Sequence, residues 1–310
     1  MKSSNQSSTQ RPLRTLSIFI LVLTLSALLL TACSPSAAPT ATTAPAAAET
    51  NTATAAPTAN DGTVSPTSAP IHLTIGVSPV PHGDILKFVQ ENLAAKAGLD
   101  LKLVEFTDYV QPNLALADGT IDANFFQHVP YMEDFGKQHN LDLVAVVAVH
   151  IEPLGIYSNK IQSLSDLPDG AVVAIPNDAT NGGRALKLLE ANGLLKLKDG
   201  VGYAATVQDI VENPKHLDIK ELEAAQLVRA LDDVSIAVIN GNFAIEAGLK
   251  PASQALALES GQDNPYANVL TVLKGHESDP GILKLAQLLT SPEVKKFIED
   301  KYEGAVIPAF

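Results

Sequence analysis

The chain has 310 residues, 46% of them hydrophobic, and carries 21 Lys+Arg against 34 Asp+Glu for a formal net charge of −13. A surface of that sign repels nucleic acid and anionic lipid, which excludes nucleic-acid binding and requires any membrane contact to come from something other than surface charge. The one cysteine, Cys33, excludes a disulfide within the chain.

Lys2, Arg11 and Arg14 precede an apolar run from Leu16 to Leu30, followed by Leu30-Thr31-Ala32-Cys33. This is the layout of a secretory signal over residues 1–32, ending in small residues before its cleavage point. The Leu-Thr-Ala-Cys string resembles a bacterial lipobox, in which the cysteine is diacylated and becomes the first residue of the mature protein. The resemblance implies a membrane anchor through acylated Cys33 on the extracytoplasmic face. An uncleaved transmembrane anchor is the alternative, but the run falls short of the roughly 20 residues needed to span a bilayer. Residues 33–70 are Ala, Thr, Pro and Ser with only Glu49 and Asp61 charged, a composition without the large apolar residues that offset the entropy of folding. They read as an extended tether, open to O-glycosylation.

From Ile71 onward strand and helix patterns alternate. Leu73, Ile75 and Val77 mark a strand, and Leu86, Val89, Leu93 and Ala97 share one face of a helix over His82–Gly98. Leu101, Leu103 and Phe106 predict a second strand, Gln111–Ala117 a helix, and the run Leu143–Val149 a strand buried on both faces. After Ser158 the pattern resumes: strand Val172–Ile175, helix Arg184–Asn192, helix Thr206–Glu212, strand Ile219–Leu222, helix Ala224–Leu231 and strand Ile236–Ile239. Alternation of this kind predicts an α/β fold with ligands at the carboxyl ends of the strands. Two such sets, joined near Glu152–Ser158 and again near Asn264–Leu270, give two lobes: residues 71–157 with 265–310, and residues 158–264. The helices Pro280–Leu289 and Pro292–Tyr302 then have to pack back on the first lobe.

Two stretches carry the chemistry. Asp108–Tyr131 gathers Tyr109, Phe125, Phe126, His128 and Tyr131, with no charged residue between Asp122 and Tyr131. Rings with polar tips can line a slot for an apolar ligand and hydrogen-bond what sits at its mouth; the plainer reading makes Phe125 and Phe126 core and His128 a helix cap. The second stretch, Ile175-Pro-Asn-Asp-Ala-Thr-Asn-Gly-Gly-Arg184, follows a strand and opens a helix. Free N–H groups at a helix start seat an anion, and Arg184 adds a fork suited to a carboxylate, its charge in the first turn opposing the helix dipole until a ligand compensates. A solvated helix arginine is the plain alternative.

Both stretches closely resemble the methionine-binding lipoproteins (the MetQ/NlpA family), solute receptors of methionine ABC importers. Further matches run through Val77–Leu86, Pro153–Ser158, Asp209–Ile219, Ala237–Asn240 and Pro265–Asn268, covering nearly all of residues 73–310. The resemblance implies a two-lobed, periplasmic-binding-protein-like (type II) fold with the ligand cleft between lobes. It implies a monomeric binding protein without cofactor or catalysis, delivering methionine to a membrane permease and its ATPase. By the same resemblance Tyr109, Phe126, His128 and Tyr131 form the slot for the methionine side chain and Arg184 holds the α-carboxylate. Asn240 and Asn268 take polar contacts at the backbone end of the ligand, although a strand-end turn and a hinge residue are their plainer readings. Phe125 and Asn213 read as structural. Met132 stands where the family commonly has leucine. Ser78, Gly83 and Gly241-Asn242-Phe243 are variable ground that can retune preference among methionine, its D-isomer, its sulfoxide and methionyl peptides.

Rival chemistries are weaker. Gly200-Val-Gly-Tyr-Ala-Ala205 with Glu221 has the spacing of a dinucleotide fingerprint but no strand leading into it, and no Gly-x-Ser-x-Gly elbow or activated nucleophile points to an enzyme. His82, His128, His139 and His150 raise a zinc receptor, yet they form no i,i+4 pair and no tight ligand cluster in the sequence. A surface lipoprotein without a transport role is the remaining alternative.

Overall fold

The computed structural model describes residues 69–262 and 264–310; the expected signal, the tether and Cys33 lie outside the described residues. In chain order the first elements are β1 (Ile71–Val77), α1 (Asp84–Val89), β2 (Leu99–Glu105), α2 (Gln111–Ala117), β3 (Ala123–His128), α3 (Val129–His139), β4 (Leu143–Ile151) and β5 (Gly155–Tyr157). They are followed by β6 (Val172–Pro176), α4 (Ala179–Ala191), β7 (Lys196–Leu197), β8 (Ile210–Glu212), β9 (Asp218–Leu222), α5 (Leu227–Ala230), β10 (Ile236–Ile239), α6 (Gly241–Glu246) and α7 (Pro251–Gln254). The chain closes with β11 (Ala257–Leu258), β12 (Ala267–Leu273), α8 (Pro280–Leu289), α9 (Pro292–Tyr302) and β13 (Ile307–Pro308).

The strands form two main sheets, each with its own core, and so two lobes. The first runs β13-β4-β12-β3-β1-β2 and the second β11-β5-β10-β6-β9. In the first, β1 is parallel to β2 and β3, while β12 enters antiparallel between β3 and β4. In the second, β6 is parallel to both β10 and β9. The chain leaves the first sheet at Ile151, joins the second at Gly155, leaves it at Leu258 and re-enters the first at Ala267. The first core packs Ile75, Val77 and Phe125 against Leu285 and Leu289 of α8 and Val294 and Ile298 of α9, so the C-terminal helices cover the first sheet. Each such fully buried aliphatic side chain contributes about 1.5–3 kcal/mol.

Local chemistry sets the helix ends. Asp178 caps α4 by accepting from the Asn181 N–H, Ser291 caps α9 through the Val294 N–H, and Gly98 takes the left-handed conformation that ends the turns after α1.

Several expected elements differ; the helix expected over His82–Gly98 is α-helical only over Asp84–Val89 and runs on in other helical turns to Ala97. The helix expected over Thr206–Glu212 is a single tight turn, Val207–Asp209, followed by β8: Thr206 and Asp209 satisfy each other's backbone groups and the β-branched pair Ile210-Val211 then runs extended against β7. The strand expected to be buried on both faces, β4, is only half-buried through Ala148, because its outer neighbour β13 pairs with only Ile151 and His150. The helix carrying Arg184 begins at Ala179, five residues earlier than expected. Among the described residues, no helix is long and apolar enough to cross a membrane.

Candidate functional site

The carboxyl end of β3, the turn after β6, the end of β10 and the start of β12 meet around one cavity. Tyr109, Phe126, His128, Tyr131, Arg184, Asn240 and Asn268 all line it. Gln127, Glu152, Asn181, Gly241 and Asn242 complete the lining, and the sequence reading had named none of these as ligand contacts.

One wall is aromatic. Alternation along β3 sends Phe125 into the first core and Phe126 toward the cavity. Phe126 packs with Tyr131 and Phe135, while Tyr109 lies with its ring centre 6.0 Å from Phe126 and 5.7 Å from Tyr131. The polar tips are occupied: Tyr131 Oη donates to the Tyr109 carbonyl (2.9 Å) and Tyr109 Oη to Asn242 Oδ1 (2.6 Å). His128 lines the cavity and also caps a helix. Its Nδ1 caps α3 by accepting from the Tyr131 N–H, which leaves the proton on Nε2 to donate to Asn181 Oδ1 at 3.0 Å. Burial, with the Arg184 charge nearby, lowers its pKa to about 3, so the ring is neutral.

The opposite wall is polar. Arg184, 4% exposed, donates from Nε to Glu259 Oε1 (2.9 Å) and from Nη2 to Glu259 Oε2 (2.5 Å) and to the Glu152 carbonyl (2.8 Å). Its guanidinium carbon lies 4.1 Å from the centre of the Tyr266 ring. Arg184 is in the second turn of α4, so the first-turn dipole argument does not apply, and the helix start is capped by the Asp178 carboxylate rather than left open for an anion. Gly182 and Gly183 serve close packing instead: a Cβ on Gly183 would collide with the backbone of Tyr203 and Ala205, and one on Gly182 would come within 2.9 Å of the Pro176 carbonyl oxygen. Asn240 donates from Nδ2 to Asn181 Oδ1 (2.9 Å) and leaves its own Oδ1 buried without a partner; Asn242 Nδ2 is likewise buried and unpaired. Leaving such atoms unmet costs about 1–3 kcal/mol each, which a bound polar group would offset. Asn213, by contrast, only closes a turn, bonding both the N–H and the carbonyl of Leu217.

Between the walls the structure makes a cluster absent from the sequence pattern. In register, Asn268 of β12 lies opposite His128 of β3 and His150 of β4. His150 Nε2 then lies 2.8 Å and His82 Nε2 3.3 Å from Glu152 Oε1, with Asn268 Oδ1 3.1 Å from His82 Nε2. Thus His82 and His150 do cluster, contrary to the sequence reading, because strand pairing joins residues that are far apart in the chain. Burial lowers the pKa of His82 to about 4 and that of His150 to about 3, and raises that of Glu152. Two neutral imidazoles account for the arrangement, His150 donating from Nε2 to Glu152 Oε1 and His82 from Nε2 to Asn268 Oδ1 beside the same carboxylate. The three donors lie within metal-ligand reach of one another. A metal would, however, require both imidazoles to move their proton to Nδ1, where His150 has no hydrogen-bond partner. The Gly200–Ala205 string follows a two-residue strand and opens no helix, so it forms no dinucleotide turn.

Residues 73–310 match the family model described as NlpA lipoprotein. The chain is 43% identical over 240 residues to the D-methionine-binding lipoprotein MetQ of Escherichia coli, an alignment covering 77% of this chain and 88% of that one. Among solved structures it resembles a nutrient-binding protein from Burkholderia cenocepacia bound to methionine (46% identity, TM-score 0.74, 77% of this chain and 100% of that one). It also resembles an ABC-transporter periplasmic substrate-binding protein from Coxiella burnetii (40% identity, TM-score 0.73, 76% and 100%). These neighbours share the periplasmic-binding-protein type of fold.

Proposed function

The chain belongs to the NlpA lipoprotein family, and from that premise we propose that it is a lipid-anchored, extracytoplasmic binding protein that captures methionine for an ABC importer. The observation that carries this reading is the cavity itself: rings with occupied polar tips on one side, and on the other a buried arginine beside unpaired amide atoms. Such a site suits a zwitterion with an apolar tail. In our reading Tyr109, Phe126 and Tyr131 enclose the side chain, where sulfur–ring contacts contribute about 0.3–1.5 kcal/mol each. Arg184 receives the α-carboxylate. The ammonium meets Asn240 Oδ1 and the Glu152 carboxylate, whose other partners are the two neutral imidazoles. Asn268 completes the polar end, and His128 closes the slot.

We assign residues 71–151 with 267–310 to one lobe and 155–258 to the other, moving β5 out of the first lobe expected from sequence because it pairs with β10, so the two crossings between sheets act as the hinge. Binding stabilises the closed form, which a membrane permease and its ATPase read as the loaded state. The receptor acts as a monomer held by acylated Cys33, and it performs no catalysis. A Cys33→Ser variant is expected to remain as unprocessed precursor; processed but unacylated wild type as the main form would count against the anchor.

Calorimetry of the purified domain with L-methionine, D-methionine and zinc tests the ligand. Saturable methionine binding with no zinc uptake is expected, and zinc binding without methionine binding would replace this reading with a metal receptor.

A further inference from the structure

Arg184 is held by residues from both crossings between the sheets. Glu152 follows β4, Glu259 follows β11, and Tyr266 precedes β12. Glu259 is itself fixed: its N–H donates to the Leu154 carbonyl at 2.8 Å and its Oε2 accepts from the Leu154 N–H at 3.3 Å. Its side chain is 17% exposed, so the ion pair is mostly shielded from water. The Nε and Nη2 edge of the planar guanidinium is therefore occupied, and among the described residues Nη1 donates to no protein group.

We propose that Glu259 is a positioning residue, which grips the Nε/Nη2 edge of Arg184 so that the Nη1 side is presented to the ligand carboxylate. This rests on the reading of Arg184 as the carboxylate partner. A free arginine has rotamer entropy that would have to be surrendered on binding. Held by two carboxylate oxygens, a backbone carbonyl and a ring face, it loses little more when the ligand arrives. Glu259 also neutralises the arginine in the empty cavity, so the charge need not be stabilised by water that the closing lobes would expel. A purely structural ion pair would hold the second crossing in place and nothing more.

The two roles separate in ligand discrimination. Binding of L-methionine and of L-methioninamide, which lacks the carboxylate, is measured by calorimetry for wild type, Glu259→Gln and Glu259→Asp. Wild type is expected to prefer methionine by about a hundredfold or more, the ratio a shielded ion pair supports. In Glu259→Gln the ratio is expected to fall to about tenfold or less, mainly through weaker methionine binding. If Glu259→Gln does not fold, Glu259→Asp, which keeps the charge on a shorter arm, is expected to lower the ratio at least about threefold. A folded variant that retains the wild-type ratio overturns the proposal while leaving the receptor reading intact. A wild type that binds methionine and methioninamide equally overturns the role of Arg184, and the proposal with it.

Discussion

The two walls of the cavity are built on different terms. On the aromatic wall the rings of Phe126, Tyr131 and Phe135 pack on one another and each tyrosine hydroxyl is spent on a protein acceptor, so the slot is complete without a ligand. On the polar wall Asn240 Oδ1 and Asn242 Nδ2 are buried and unpaired, and Nη1 of Arg184 donates to no described protein group. On our reading, selection of the ligand side chain is preset by packing, which gains little from reorganising. Recognition of the backbone end is held in reserve, because a buried polar atom releases its cost only when it is met.

The sharpest way to break this comparison is at Arg184. Arg184→Ala is expected to lose about 2–5 kcal/mol of methionine binding, a hundredfold or more, and Arg184→Lys to recover only part, lacking the planar fork. Calorimetry returning an affinity within about threefold of wild type would remove the carboxylate from this wall. Next in size is the ligand's effect on stability. Methionine at about 100 times its dissociation constant should raise unfolding stability by about 2.7 kcal/mol, with alanine and glutamate at equal concentration doing much less. Equal stabilisation by all three in thermal melts would mean that the slot does not select. The aromatic wall is probed by Phe126→Ala, expected to narrow the methionine-over-alanine preference by about 1.5–3 kcal/mol while carboxylate recognition persists. An unchanged preference would place the side chain elsewhere.

The smallest effect concerns acid. His82, His128 and His150 have folded pKa values of about 4, 3 and 3, below the unfolded value of 6.5. Below pH 6.5 the unfolded chain therefore binds more protons than the native one, and stability is lost as pH falls from about 6.5 toward 4. Each histidine contributes up to about 1.4 kcal/mol per pH unit in that window. The raised folded pKa values of Glu152 and Asp178 act in the opposite sense, above their unfolded values. Replacing His150 by Gln should flatten the loss between pH 6.5 and 5.5 by about 1 kcal/mol, read from urea melts at each pH. An unaltered slope would show that His150 is not held neutral.

Much of the molecule was legible in the chain. The alternation of strand and helix gave two α/β sets because each element's buried face has a period, 2 or 3.6, that short windows reveal. The ring cluster at Tyr109–Tyr131 and the Arg184, Asn240 and Asn268 positions were readable as residue types, and the structure gathers them in one cavity. Where the reading failed, local signals competed. Thr206 to Glu212 looks helical by spacing, but β-branched Ile210-Val211 favours the extended form once Lys196-Leu197 is there to pair with it. By sequence α4 starts late because the Asn-Gly-Gly string resembles a loop, whereas its glycines let the helix lie flush on a neighbouring backbone.

The sequence by itself determined an acidic α/β chain and the residue types gathered at its candidate site, since composition and short-range periodicity are local properties. Only the tertiary structure decided which side chains serve those residues. The antiparallel insertion of β12 beside β3 and β4 sets Asn268 between His128 and His150 and assembles His82, Glu152 and His150 around one carboxylate oxygen. The return crossing brings Glu259 onto Arg184 across 75 residues of chain. Contacts at such separations leave no trace in spacing, because strand order rather than chain proximity decides which groups meet.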